Sequence, residues 1–231
     1  MITIHRAKWL FDSPSPSQLR QFEKGAMAVD TSTGMILETG LATDVIKLFK
    51  KAKIIDHGLN SVITPGFIDC HVHAPQMEMM ASAGYSLLEW LNKYTFPTEA
   101  KYTDKNYAVK RWHEFCEGLL RCGTTSAAVY ATSHTPATEA LLKIGEKMGL
   151  RLHVGKVLMD RNAPTDLLQD ADQAVEELDG LIGRWKKSEA GKSLHGCSVC
   201  SHFDGSASKK SGRIVETSPR PSRSNPFGRD P

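Results

Sequence analysis

The sequence lacks any run of about 18 apolar residues, the length a helix needs to cross a bilayer. A membrane-spanning role is therefore not expected. Cysteine is scarce: five in 231 residues are too few for a disulfide scaffold. Met1–Gln18 shows no uninterrupted apolar stretch before a small-residue cleavage site. Scattered cysteines without a leader point to reduced thiols and a cytoplasmic setting. Charge of either sign is also nearly absent as a net quantity, at +3. From Ser193 to Pro231 there are six basic and three acidic residues, so residues 1–192 are neutral. A basic body for nucleic acid is therefore not supported.

An apolar fraction of 40% is enough to build a core and rules out a wholly disordered chain. Three textures follow one another. Residues 1–65 hold short β-like runs and read as a small β domain. Gly25–Asp30, a turn at Thr31–Gly34, and Met35–Thr39 form a strand, turn and strand. Lys53–His57 and Ser61–Thr64 are two further short strands. Thr43–Ala52 reads as a basic amphipathic cover helix with Thr43 as its N-cap.

From residue 66 to 192 strands alternate with helices. Strands are expected at Gly66–His71, Gly123–Tyr130 and Arg151–Met159, and helices at Tyr107–Arg121, Thr138–Met148 and Leu168–Trp185. Gly149 is placed to end the second helix. Such alternation implies βαβ units and a parallel sheet, an α/β fold. Residues 193–231 contain nine Ser, four Gly, four Pro and four Arg, a composition that reads as a disordered tail.

His71 and His73 are the chemically suggestive pair. Residues two apart on a strand point to one side, and two imidazoles on one side suit a zinc ion. Two unrelated surface histidines are the plain alternative. Asp69 shares their face; it either orients a ligand or caps a neighbouring turn. Trp90, Tyr94 and Phe96 either wall a pocket or pack as helical core. Glu89 reads as an ordinary helix carboxylate, and His134 faces the same end of the sheet as a loop histidine.

Pro65-Gly-Phe-Ile-Asp-Cys-His-Val-His73 resembles the first-strand signature of the amidohydrolase superfamily. Ala74-Pro-Gln76 and the block Leu87–Glu99 narrow the resemblance to the guanine deaminase family. Gly123–Ser126, Tyr130–His134 and Val154–Asp160 add to it. The similarity covers about Gly25–Trp185.

This resemblance implies the N-terminal part of a (β/α)8 barrel with a small β domain, and zinc-dependent hydrolysis of guanine to xanthine and ammonia in purine catabolism. It implies one Zn2+ per subunit, activating water for attack on the amino-bearing purine carbon. His71 and His73 would be its ligands, and His73, Ala74, Pro75 and Gln76 would line guanine. Gln76 is apt, since an amide offers a donor and an acceptor to a purine edge. Intact members would be homodimers with no membrane or nucleic-acid partner.

The family's later Pro-Arg-Phe contact, third His in a His-x-x-Glu segment, fourth His and late Asp find no match in this sequence. A barrel takes about 250 residues. Residues 65–192 provide three βα units. The chain alone is accordingly expected to be inactive. A non-catalytic fragment that binds full-length subunits is an alternative, as is an amidohydrolase acting on another purine-like ring.

His195, Cys197, Cys200 and His202 make a metal-like cluster, but no apolar run surrounds it to build a folded site. The tail reads better as frame-shifted: permitted codons for residues 219–230, read one base on, can spell a segment containing His-x-x-Glu.

Overall fold

The computed structural model describes residues 1–84, 86–187 and, as backbone, 198–204. The chain divides into two compact units, Met1–Gly66 and Phe67–Pro231.

The first unit is built on two small sheets. Strands β1 (Ile2–Arg6), β4 (Gly25–Asp30), β5 (Met35–Leu41) and β6 (Lys53–Asp56) form one, in the order β5-β4-β1-β6. Strands β2 (Trp9–Ser15), β3 (Gln18–Glu23) and β7 (Val62–Ile63) form the other, in the order β3-β2-β7. Helix α1 (Ala42–Leu48) puts Val45 into a cluster with Ile4, Ala26 and Ala28. It is a cover helix, but Thr43 does not cap it. Leu41 is the capping residue and offers no side-chain bond, while the Thr43 hydroxyl turns to Asp44. Gly25 opens β4 where a Cβ would lie 2.3 Å from the Cβ of Leu10, so no side chain fits there.

The second unit is a parallel sheet with helical crossovers. Its strands are β8 (Phe67–His73), β9 (Thr124–Tyr130), β10 (Arg151–Met159) and β11 (Ser198–Asp204), paired in sequence order. Helices α4 (Lys105–Arg121), α5 (Thr135–Lys147) and α6 (Ala171–Lys187) connect them. Each crossover advances by one strand, the winding of a β/α barrel. Asp104 starts α4 by accepting the backbone N–H groups of Asn106 and Tyr107. Gly149 follows α5 at φ +75°, the left-handed conformation expected of it.

Side chains alternate along the strands. Ala127, Val129, Leu152, Val154 and Leu158 pack on Trp112, Leu141, Leu142, Leu178 and Leu181 of the helices. The opposite face carries His73 and Tyr130.

Between β8 and α4 lies an excursion with little regular pattern in its sequence. A 3-10 turn (Ala74–Met79) leads to α2 (Leu87–Trp90), a π turn (Leu91–Thr95), α3 (Phe96–Ala100) and a second 3-10 turn (Lys101–Thr103). Pro97 has no N–H to continue the α pattern, and the π turn before it takes up the break.

Within residues 193–231, Ser198–Asp204 forms strand β11. Its Ser/Gly-rich surroundings suggest no strand, yet β10 would otherwise present an unpaired backbone edge. Ser198 to Asp204 pair with His153 to Met159 in unbroken parallel register along it. The rest of that stretch, including His195 and Cys197, lies outside the described residues.

A candidate metal site at the end of the first parallel strand

His71 and His73 stand at the C-terminal end of β8, where β/α barrels carry their reactive groups. Pairing with β9 slips between Asp69 and Val72: the register runs Asp69 to Ala127, then Val72 to Val129. Three steps on β8 thus match two on β9. Such a bulge re-aims the side chains that follow it. The Asp69 carboxylate accepts the His71 N–H at 3.0 Å, so its role is to fix the bulged backbone.

The two Nε2 atoms approach to 3.3 Å, with the ring planes at 59°. Two nitrogens bound to one zinc at tetrahedral angles stand about 3.3–3.4 Å apart. The pair therefore fits a shared zinc ion. Among the described residues no third His, Cys, Asp or Glu joins them in a group able to hold a metal.

The turn after the pair is firmly seated. Ala74 and Pro75 are buried, and Gln76 is half-buried. Two residues on, the Glu78 carboxylate accepts from the Tyr107 hydroxyl at 2.6 Å and from Lys101 at 3.2 Å, and pairs with Arg111 at 3.1 Å. Burial raises the Glu78 pKa, but these donors outweigh it and hold the carboxyl below its usual value.

The other sequence candidates take structural roles. Glu89 closes a capping box with Ser86. Trp90 donates its indole N–H to Ser82. Phe96 packs with Val157, Met159 and Leu167. His134 stands at the N-cap position of α5 with no capping side-chain bond, its Nδ1 3.0 Å from the Thr132 hydroxyl. Burial, then the Lys156 charge, lower its pKa.

Three residues were not singled out from the sequence: Tyr130 beside the pair, and buried Lys156 and Glu99. Tyr130 ends β9 level with His73, and its ring lies 4.7 Å from the His71 ring and 4.6 Å from the His73 ring. Lys156 is wholly buried in β10, bonded to Gln169 at 3.2 Å and paired with Glu177 at 3.6 Å. Burial draws its pKa down to about 8 against the pull of Glu177. Glu99 is 4% exposed, and its Oε2 has no hydrogen-bond partner among the described residues. Burial raises its pKa to about 7.

A lone lysine inside the apolar run Val154–Met159 was the signal for Lys156. The period-two alternation of β9 was the signal for Tyr130.

Parallel strands paired in sequence order and joined by helices, with a histidine pair at one strand's C-terminal end, are the pattern of the opening units of a β/α barrel. The chain belongs to the amidohydrolase family, whose model matches residues 62–211. Guanine deaminase of Escherichia coli (strain K12) is 46% identical over 127 residues, 55% of this chain and 29% of that protein. Probable guanine deaminase of Deinococcus radiodurans is 36% identical over 197 residues, 84% of this chain and 44% of that one. A solved guanine deaminase from C. acetobutylicum, with guanine bound in its active site, superposes with a TM-score of 0.75. Its identity is 27%, over 90% of this chain and 47% of that one. The chain thus spans less than half the length of each of these proteins.

Proposed function

We propose that this chain carries the first metal ligands and part of the substrate cradle of a zinc-dependent guanine deaminase acting in the cytoplasm. The observation that carries the reading is the His71–His73 pair, set at zinc-ligand separation and followed directly by the seated Ala74-Pro75-Gln76 turn. The E. coli relative supports guanine rather than another ring as substrate.

His71 and His73 would hold the metal through Nε2. Zinc at that point supplies a Lewis acid that activates water for hydrolysis. Gln76, half-buried on the same turn, presents its amide to a purine edge, donating through N–H and accepting through C=O. Ala74 and Pro75 keep the backbone beside it dry and fixed. Glu78, Tyr107 and Arg111 anchor the turn from behind.

Two ligands leave a catalytic zinc incomplete, because such sites take three protein ligands. No carboxylate joins the pair among the described residues. The expected outcome is that the 231-residue chain binds zinc and guanine weakly but releases no guanine-dependent ammonia above a His71→Ala control. Zinc affinity is measured by chelator competition, guanine binding by equilibrium dialysis and ammonia by a coupled assay. Zinc and guanine binding unchanged in His71→Ala/His73→Ala would sink the reading.

A further inference from the structure

We infer that Tyr130 is the positioning residue that holds the His71 and His73 imidazoles ready for the metal. The inference rests on the zinc reading of that pair. Tyr130 is the register partner of His73 across β8 and β9. Its ring stacks on His73 at 19° between planes and meets His71 at 56°. One aromatic ring therefore limits the rotation of both imidazoles. Their two Nε2 atoms stay together while their rings remain tilted. Side chains already held in the bound arrangement lose less rotamer freedom when the ion arrives.

Tyr130 is itself anchored, because the chain after it is pinned from three elements. The Ala131 N–H is donated to the Gly155 carbonyl at 2.9 Å, and the Val157 N–H to the Thr132 carbonyl at 3.3 Å. The buried Thr138 hydroxyl, on α5, donates to the Thr132 carbonyl at 3.1 Å. The Gln169 amide donates to the Ser133 carbonyl at 3.2 Å, while its oxygen accepts from buried Lys156. Glu177 of α6 takes both the Thr135 hydroxyl at 2.5 Å and the Lys156 ammonium. A segment bonded in this way gives Tyr130 little room to drift from the pair.

The test is zinc affinity of the full 231-residue chain by chelator competition, with thermal unfolding followed alongside. Tyr130→Leu is expected to weaken zinc binding about tenfold, the lower end of the loss seen when groups that orient metal ligands are removed. Its unfolding midpoint should stay near that of the unmutated chain. Tyr130→Phe, which keeps the ring against both imidazoles, is expected to retain wild-type affinity. Where Tyr130→Leu unfolds, Tyr130→Met decides in its place. Zinc affinity that survives loss of the ring, or a Phe variant as weak as the Leu one, overturns the inference alone. Equal affinity in the wild type and in His71→Ala/His73→Ala overturns the zinc reading, and the inference with it.

Discussion

Each unit of the chain brings two imidazoles within hydrogen-bond range, and the two pairs differ in what they can do. In the first unit, His5 Nδ1 lies 3.1 Å from His57 Nε2, with ring planes 13° apart and centroids at 5.4 Å. That centroid spacing is the nitrogen separation plus both ring radii. The two nitrogens therefore lie on the line between the rings, where the N–H of one points at the lone pair of the other. In the second unit the planes are tilted by 59°, the centroids close to 5.1 Å, and two Nε2 atoms can meet a third atom.

The surroundings diverge too. Burial, then His57, lowers the pKa of His5, and the pair is flanked by the exposed Arg6–Asp56 ion pair. The second pair has Tyr130 across both rings and a seated turn beside it. Nitrogen separation alone does not make a ligand pair; ring direction and a holding environment do.

The sharpest way to break this contrast is metal binding. His71→Ala or His73→Ala should abolish measurable zinc binding, whereas His5→Ala should leave stoichiometry and affinity unchanged in a chelator titration. Loss of zinc in His5→Ala would show that the first pair is also a ligand set.

The cores of the two units differ in the same direction. Trp112 is fully buried, stacked on Tyr102 at 4.4 Å between centroids, and donates its indole N–H to Ala137. Trp112→Ala should cost about 3–5 kcal/mol in urea denaturation. In the first unit Val45→Ala should cost only about 2 kcal/mol, because less apolar volume is lost. Similar costs in the two units would remove the distinction.

Glu99 makes the second unit sensitive to pH. Its carboxyl has a pKa raised from 4.5 to about 7 by burial, so the folded state favours its protonated form. That contribution is fully present below pH 4.5 and is lost as pH rises through 7. Between pH 5 and 8 the unit should lose up to about 3 kcal/mol on this account. Glu99→Gln should flatten the profile, as read from urea midpoints at the two pH values. An unchanged slope would count against the burial argument. The smallest effect belongs to the first unit, where Asp56→Asn breaks an exposed ion pair and should leave the thermal midpoint where it was.

Much of the second unit was legible from residue patterns. Arg151–Met159 runs as one apolar strand in the sequence and in the fold. The helical face of Trp112, Phe115 and Cys116 is the buried face of α4. The excursion from Ala74 to Thr103 was less legible. Its 3-10 and π turns have no regular hydrophobic period, and Pro97 interrupts the helical turns between Leu87 and Ala100. Strand β11 was hidden for another reason. Ser198–Asp204 has little strand signal of its own and takes its conformation from the open edge of β10.

At the site, the His-x-His spacing and the Ala-Pro-Gln turn were visible because neighbouring residues carry them. Tyr130 and Lys156 were not, because each acts on residues far along the chain.

Local order in β8–β10 and α4–α6 was therefore set by the sequence itself, as were the end of α5 at Gly149 and the placing of His71 and His73 at the end of β8. Tertiary structure decided what period and composition cannot carry. The bulge after Asp69 turns the imidazoles together, Tyr130 is delivered across them by the β8–β9 register, and Lys156 is buried against Glu177. Each of these depends on which strand lies beside which, and that follows from burying the helix-facing residues of all the strands at once, not from any local stretch of chain.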